Sequence, residues 1–168
     1  LNPRMISGHY QGRILSLISK IISPKKILEI GTYTGYSAIC LCEGMDKDGI
    51  LHTIDNNKEL VKIQNKYFKK ANLTNKIVQH SGDAKNIIPT IEEEFDIVFI
   101  DADKESYPEY YDLIINKVRS GGIIIADNIL WSGKILEKVE KDDQATKSII
   151  EFNNKIIEDN RVKNIILP

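Results

Sequence analysis

The stretch Ile97-Val98-Phe99-Ile100-Asp101-Ala102-Asp103-Lys104 decides the fold class of this chain. Its first four residues form an apolar run typical of a strand buried on both faces, and two carboxylates and a lysine follow at once. A second strand-like run, at 121–126, ends in Asp127-Asn128. Because ligands in open α/β sheets bind beyond the carboxyl ends of the strands, these polar residues are predicted to face a site.

The side chains at these two strand ends are of the kind that binds hard cations. Asp101, Asp103, Asp127 and Asn128 offer the carboxylate and amide oxygens that Mg²⁺ or Ca²⁺ prefers. Lys104 is a candidate general base, and the alternative is a surface lysine paired with Asp103. The sequence therefore predicts an active site that holds a metal ion.

Composition places the chain among soluble globular proteins and predicts one domain over residues 1–168. The net charge of −1 provides no electrostatic reason to bind nucleic acid or a membrane surface. No apolar stretch reaches the ~20 residues of a membrane span, and no secretory signal pattern is present. Cys40 and Cys42 are interpreted as reduced, buried thiols of a cytoplasmic protein. His52 and His80 have no companion at ligand spacing and are interpreted as structural.

Apolar runs of strand length alternate with amphipathic stretches, which predicts βαβ units in a doubly wound, Rossmann-like, mostly parallel sheet. The predicted strands are 27–31, 50–55, 76–80, 95–101 and 121–126, and a sixth begins at Val162–Leu167. The predicted helices are 8–22, 36–45, 57–71, 84–91, 107–119 and 143–159. With right-handed crossovers, we expect the strand order 3-2-1-4-5.

A glycine-containing loop, Gly31-Thr32-Tyr33-Thr34-Gly35-Tyr36-Ser37, follows the first predicted strand. A G-x-G-x-x-G dinucleotide fingerprint needs glycine where Tyr33 stands, because the backbone must approach a pyrophosphate there. Tyr33 therefore disfavours NAD or FAD. The G-x-x-x-G spacing instead resembles motif I of class I S-adenosylmethionine-dependent methyltransferases, whose ligand carries a carboxylate that backbone N–H groups and Ser37 could bind. The alternative is that the glycines serve only a tight turn.

Two further acids follow the second and third predicted strands. Asp55 lies 24 positions after Gly31, and an acid about 20 residues after such a loop binds ribose hydroxyls in nucleotide-binding α/β folds. Asp83, in Gly82-Asp83-Ala84, reaches the same sheet edge and could accept a hydrogen bond from an adenine amino group. Each acid could instead only cap the helix that follows it.

Four segments together resemble the cation-dependent O-methyltransferases, the family of catechol and caffeoyl-CoA O-methyltransferases and their bacterial relatives. These segments are Met5-Ile6-Ser7-Gly8, 28–37, Phe99-Ile100-Asp101-Ala102-Asp103-Lys104 and Ala126-Asp127-Asn128. They occur in the order of the family and at compatible spacing over nearly the whole chain. The Asp-Ala-Asp-Lys segment with the later Asp-Asn pair is the most specific part of the resemblance.

This resemblance implies a role for each site residue. Asp101, Asp127 and Asn128 would bind a divalent cation, Mg²⁺ before Mn²⁺ or Ca²⁺, and the catalytic residues would be the base Lys104 with Asp101 beside it. The S-adenosylmethionine site would contain Ser7, Glu29, Gly31, Tyr33, Gly35, Ser37, Asp55, Asp83, Ala84, Asp101 and Asp103. The acceptor would be bordered by Met5, Lys104, Asn128 and Trp131, although Trp131 could equally be a core aromatic.

The function that the resemblance implies is methyl transfer from S-adenosylmethionine to one hydroxyl of a catechol-like small molecule, a vicinal dihydroxy aromatic. The resemblance also implies a homodimer. Family members carry a further N-terminal helical segment and end in an antiparallel β-hairpin, and we expect the chain to be truncated relative to them at both ends.

Other functions compete with this interpretation. A metal-independent methyltransferase could act on nitrogen or on another small molecule, but base-directed enzymes often carry a Pro-Pro-aromatic turn where this chain has Asp101–Lys104. A dehydrogenase is disfavoured by Tyr33. A non-catalytic S-adenosylmethionine-binding or scaffold protein would need neither the base nor the metal ligands.

Overall fold

The computed structural model describes residues 7–167 of the chain. Its strands are β1 (Lys26–Ile30), β2 (Ile50–Asp55), β3 (Ile77–Ser81), β4 (Phe95–Ile100) and β5 (Val118–Ala126). Its α-helices are α1 (His9–Ile22), α2 (Tyr36–Cys42), α3 (Val61–Lys70), α4 (Ala84–Ile87), α5 (Tyr107–Ile114) and α6 (Gln144–Glu158). The strands form one sheet in the order β3-β2-β1-β4-β5, and all neighbours are parallel. The predicted fold class and strand order are confirmed.

The sheet separates two apolar layers because successive side chains of a strand point to opposite faces. Ile27 and Phe99 pack in the layer that contains residues of α1 and α2. Leu28 and Ile100 pack in the opposite layer, against residues of α4, α5 and α6. Burial on both faces explains why the interior strand β4 is an almost continuous apolar run. Within residues 7–167, no helix is both long and apolar enough to cross a membrane.

Several predicted boundaries move because of local backbone chemistry. The predicted helix 84–91 continues after Ile87 as a 3₁₀ turn, Ile88–Thr90, which contains Pro89 near its start. The predicted helix 107–119 ends as α-helix at Ile114, and the last strand starts at Val118 rather than at 121. A register shift against β4 between Phe95 and Ile97 accommodates these extra residues as a bulge.

The sixth strand predicted at Val162–Leu167 is wrong. These residues have no strand pairing in the described part of the chain, and the side chains of Ile165, Ile166 and Leu167 are all more than half exposed. An apolar run of strand length cannot by itself provide the neighbouring strand whose backbone groups it must pair with.

The two strand histidines lie beside each other, which sequence spacing did not indicate. His52 Nδ1 is 3.0 Å from His80 Nε2, and the two rings stack with their centroids 5.3 Å apart. The register pairs His52 with Val78 and Ile54 with His80, so the two histidines are diagonal neighbours on one face. Partial burial lowers the pKa of both imidazoles. Cys40 and Cys42 are buried and unbridged, as expected.

Asp96 joins three strands at the amino-terminal edge of the sheet. Its Oδ2 atom accepts hydrogen bonds from the backbone N–H groups of Lys25 (2.7 Å) and Lys26 (2.8 Å). Its Oδ1 atom accepts a hydrogen bond from Arg119 Nε on β5. Burial opposes ionisation of Asp96, but these three donors outweigh it and lower the pKa of the carboxyl. The charged carboxylate therefore stabilises the arrangement of β1, β4 and β5.

We expect Asp96→Ala to lower the free energy of unfolding by about 1.5–3 kcal/mol, the usual cost of removing hydrogen bonds to a charged group. Urea denaturation measures this change. Asp48→Ala is the matched control, because the Asp48 side chain is 80% exposed and its loss should stay within about 0.5 kcal/mol. Equal effects of the two substitutions would show that Asp96 does not join the strands energetically.

Candidate active site

The carboxyl ends of the strands open into one cleft of about 1390 Å³. Sites for a single small molecule usually measure roughly 300–1,000 Å³, so this cleft has room for two ligands side by side. The predicted site residues that line it are Ser7, Gly31, Tyr33, Ser37, Asp55, Asp83, Ala84, Asp101, Asp103, Lys104, Asp127, Asn128 and Trp131. Glu29 and Gly35 are not in its lining, and Met5 lies outside the described residues.

The loop after β1 approaches the end of β4 more closely than a side chain would allow. Gly31 has a φ of 100°, and a Cβ placed on it would overlap the backbone carbonyl oxygen of Asp101. The strand pairing continues on both sides of this contact, because Gly31 N–H donates to Ile54 O and Asp101 N–H donates to Ile30 O, each at 2.9 Å. Position 31 therefore requires glycine for two reasons, namely the positive φ and the lack of space for a Cβ next to the Asp101 carbonyl.

Gly35 and Asp55 hold the glycine loop in place. Gly35 has a φ of 83°, and its Cα packs so closely on the ring of Phe68 that a Cβ would clash. Asp55 accepts the backbone N–H groups of Tyr33 (2.7 Å) and Asn57 (2.8 Å), one on each carboxylate oxygen. Each oxygen has a second lone pair, so this structural role leaves Asp55 able to bind a ligand hydroxyl as well.

Asp83, the acid after β3, caps the helix that follows it, which is one of the two roles predicted for it. Asp83 Oδ1 accepts the backbone N–H of Lys85 at 2.9 Å, as the N-cap of α4, and Asp83 also lines the cleft. Tyr110 lines the same cleft and donates a 2.6 Å hydrogen bond to Asp103 Oδ1. The sequence pattern does not indicate a site role for Tyr110, because its spacing from Tyr107 and Ile114 on α5 is that of a core stripe.

Glu29 lies behind the wall of the cleft. It is fully buried, its Oε2 atom accepts a hydrogen bond from Thr53 Oγ1 at 2.5 Å, and Thr53 is in turn 2.5 Å from the hydroxyl of Thr32. Its Oε1 atom has no hydrogen-bond partner among the described residues. Burial raises the pKa of Glu29 to about 8, and nearby hydroxyls, including that of Ser37, offset only part of this effect. Glu29 is therefore largely protonated at pH 7, and it is connected with two cleft-lining residues, Ser37 and, through Thr53, Thr32.

The lysine after β4 is a buried residue, so the surface alternative for Lys104 is wrong. Its side chain is 8% exposed, and its Nζ atom is 3.1 Å from Asp101 Oδ1 and 2.6 Å from the Tyr107 hydroxyl. Asp103 is bonded to Tyr110 instead. Burial raises the pKa of Asp101, the Lys104 ammonium lowers it, and Asp127 raises it further, with burial the largest influence and the net shift upward.

The three proposed metal ligands come together at the ends of β4 and β5. Asp127 N–H donates to Ile100 O at 3.0 Å, which continues the pairing of the two strands up to the ligands. Asn128 follows with a φ of 60°, a left-handed conformation that asparagine tolerates. Two carboxylates and one amide fit a hard divalent cation. Within residues 7–167, no group of three or more His, Cys, Asp or Glu side chains is arranged to hold a metal ion, so the proposed ligand set depends on the Asn128 amide.

Trp131 starts a 3₁₀ turn, Trp131–Leu136, that sequence analysis did not predict. Trp131 has a φ of 47° and lines the cleft, and it also packs against the core layer that contains Ile100. Its indole Nε1 is buried without a hydrogen-bond partner among residues 7–167. Trp131 therefore lines the cleft and is also part of the core, so it combines both predicted alternatives.

Comparisons with known proteins agree on one family. The family profile described as O-methyltransferase matches residues 1–168. A catechol O-methyltransferase from Niastella koreensis is 34% identical over 155 residues, which cover 90% of this chain and 70% of that protein. A caffeoyl-CoA O-methyltransferase from Populus kitakamiensis is 33% identical over 165 residues, which cover 91% of this chain and 69% of that protein.

Two solved structures share the fold closely. The O-methyltransferase TomG from Streptomyces achromogenes, in complex with SAM, has a TM-score of 0.89 and 28% identity over 94% of this chain and 72% of its own. An O-methyltransferase from Bacillus cereus, in complex with SAH, has a TM-score of 0.89 and 31% identity over 94% of this chain and 73% of its own.

We expect Glu29→Gln to remove a pH dependence of stability between about pH 4.5 and 8. The unfolded chain loses the Glu29 proton near pH 4.5, whereas the folded protein keeps it up to about pH 8. The stability contributed by the neutral carboxyl is therefore complete below pH 4.5 and is lost as the pH rises, by roughly 1.4 kcal/mol per pH unit. Glutamine cannot ionise, so the variant should gain stability relative to the natural protein with rising pH.

Urea denaturation at about pH 5, 7 and 9 measures this difference. Glu92→Gln is the control, because Glu92 is exposed and its substitution should leave the pH profile parallel to that of the natural protein. A Glu29→Gln profile that is also parallel would show that Glu29 is ionised in the folded state.

Proposed function

The chain belongs to the O-methyltransferase family and is an S-adenosylmethionine-dependent enzyme, and we propose that it methylates one hydroxyl of a catechol-like small molecule with the help of a divalent cation. The observation that carries this proposal is the burial of Lys104 against Asp101, beside Asp127 at the end of the next strand. A buried lysine next to convergent oxygen ligands is costly, and such arrangements are concentrated at functional sites.

The methyl donor would lie across the glycine loop. Asp55 accepts the Tyr33 N–H of that loop and would bind the ribose, while Asp83 and Ala84, which line the same cleft, would border the adenine. Among residues 7–167, acids outnumber bases in the cleft lining, which contains the bases Lys85 and Lys104 and the acids Asp55, Glu59, Asp83, Asp101, Asp103 and Asp127. Such an excess of negative charge favours a sulfonium donor and a divalent cation over anionic ligands.

Asp101, Asp127 and Asn128 would hold the cation. When bound, a divalent cation lowers the pKa of a coordinated hydroxyl and fixes the direction of its oxygen. The set contains two negative charges and a neutral amide, which suits a cation that also keeps water or acceptor oxygens in its shell.

Lys104 would remove the proton from the hydroxyl that becomes methylated. It can do so only in its neutral form, and then one lone pair of Nζ is the acceptor. Its contact with Asp101 places this atom 3.1 Å from a proposed metal ligand, within reach of an acceptor bound there. Holding the acceptor oxygen and the donor methyl in line would supply much of the remaining acceleration.

The proposal includes two features that depend on the family resemblance and on composition. One is a homodimer. The other is a cytoplasmic location, in keeping with the two free cysteines Cys40 and Cys42.

Chelation is expected to abolish methyl transfer to a catechol and to leave donor binding largely intact, because the cation would contact the acceptor rather than the nucleoside. Activity is measured with EDTA and after addition of excess Mg²⁺, and S-adenosylmethionine affinity by calorimetry. Asp127→Ala should reproduce the loss and resist rescue by Mg²⁺, whereas the exposed Asp142→Ala should behave as the natural protein. Full activity in the chelated protein would rule out the metal-assisted mechanism.

Lys104→Ala is expected to lower turnover by on the order of 10²–10⁴, the usual effect of removing a general base. Lys104→Arg should not restore it, because a guanidinium keeps its proton at working pH. The exposed Lys138→Ala serves as the control for loss of positive charge. Turnover of the alanine variant at the natural rate, under saturating Mg²⁺ and donor, would mean that another group accepts the proton.

A further inference from the structure

Tyr107 has a position that neither the motifs nor the proposed reaction explains. It is the first residue of α5, directly after the 3₁₀ turn Lys104–Ser106, and its side chain is fully buried. Its ring packs edge-on against Phe152 of α6, with the centroids 5.3 Å apart. It is not among the residues that line the cleft.

The Tyr107 hydroxyl is hydrogen-bonded to the Lys104 amine and to backbone carbonyls at the ends of β4 and β5. It accepts a hydrogen bond from Lys104 Nζ at 2.6 Å. It shares its own proton between the carbonyl oxygens of Ile100 and Asp127, each 3.1 Å away. A phenol is protonated at neutral pH, so the direction of these hydrogen bonds is fixed: the hydroxyl donates to the carbonyls and accepts from the lysine.

This arrangement joins the two strand ends that carry the proposed metal ligands. Ile100 O also accepts the backbone N–H of Asp127, so one carbonyl and one hydroxyl together connect the end of β4 with the end of β5. The Asp127 carbonyl belongs to the peptide unit that leads into Asn128, whose backbone is left-handed. Removal of the hydroxyl would release this peptide from its support.

The same hydroxyl limits the directions open to the lysine amine. A neutral lysine has two N–H groups and one lone pair. When one N–H is donated to Asp101 and the other to Tyr107, the lone pair is left with a single remaining tetrahedral direction. A base whose lone pair is already held in one orientation loses little rotational entropy when it accepts a proton.

We propose that Tyr107 is a positioning residue, whose hydroxyl directs the Lys104 amine and joins the ends of β4 and β5 beneath the cation site. This inference depends on the proposed roles of Lys104 and of the metal ligands. It assigns Tyr107 no contact with donor, acceptor or cation.

Tyr107→Phe tests the proposal, and Tyr111→Phe is a matched control. Tyr111 is also buried on α5 and packs edge-on against Phe152, with centroids 6.1 Å apart, but its hydroxyl bonds to Asp159 outside the cleft lining. Both variants keep the ring and lose one buried hydroxyl. Samples for metal binding and turnover contain saturating S-adenosylmethionine, so that ligand binding supports the fold of each variant equally. Samples for donor affinity are prepared without it.

The readouts are Mn²⁺ affinity by electron paramagnetic resonance, donor affinity by calorimetry, and turnover of a catechol at saturating Mg²⁺. For Tyr107→Phe we expect Mn²⁺ binding about tenfold weaker and turnover roughly 10–100-fold lower than for Tyr111→Phe, in the range found when outer partners of metal ligands are removed. Donor affinity should agree within about twofold between the two variants. In a Lys104→Ala background, Tyr107→Phe should lower turnover little further, because its effect is exerted through the lysine.

Equal Mn²⁺ affinity and equal turnover of the two tyrosine variants would overturn the inference and leave the proposed function standing. If Tyr107→Phe lowers turnover but leaves Mn²⁺ affinity unchanged, the proposed role of Tyr107 in joining the strand ends is wrong. Its proposed role in directing the Lys104 amine is then supported. Absence of Mn²⁺ binding by the natural protein would instead overturn the proposed metal site, and with it the part of the inference that concerns the cation.

Discussion

The close approach of Gly31 to the backbone of Asp101 is the constraint on which the site depends. Any side chain at position 31 would overlap the Asp101 carbonyl, so a substitution there would separate the loop after β1 from the end of β4. That loop borders the proposed donor position. Asp101 is itself a proposed metal ligand, and the proposed base Lys104 follows three residues later. In the proposed reaction, the methyl donor and the acceptor would meet where these two strand ends are in contact.

Parallel pairing extends this contact across the sheet edge. Backbone hydrogen bonds continue one residue beyond the strands, from Gly31 to Ile54, from Asp101 to Ile30 and from Asp127 to Ile100. Each of these backbone hydrogen bonds fixes the position of a residue at a strand end, independently of any contact that its side chain makes. The cleft is therefore positioned by rigid backbone, and its acids are held near one another despite their repulsion.

Burial raises the pKa of two acids near the carboxyl ends of the strands, Glu29 and Asp101. Glu29 has no cation beside it among residues 7–167, and burial outweighs its hydroxyl partners and raises its pKa to about 8. Asp101 is also largely buried but has the Lys104 amine at 3.1 Å. These two acids differ both in depth, since the Asp101 side chain is partly exposed, and in their partners, since Asp101 has a lysine beside it. Tyr107 adds a neutral hydroxyl that can join the lysine to two backbone carbonyls without adding charge.

The sequence by itself determined the fold class, the strand order and the family, because apolar periodicity and the Asp-Ala-Asp-Lys and Asp-Asn segments are local patterns. It also indicated the residues that the sheet edge gathers, since parallel strands must end on the same side. Only the tertiary structure decided that Lys104 pairs with Asp101 instead of Asp103, that Glu29 lies behind the wall, and that Tyr107 and Tyr110 reach site residues. These are contacts between elements distant in sequence or between side chains on one helical turn, and their geometry depends on packing that no local pattern encodes. The failed strand at Val162–Leu167 has the same physical reason, because a strand exists only where another strand pairs with it.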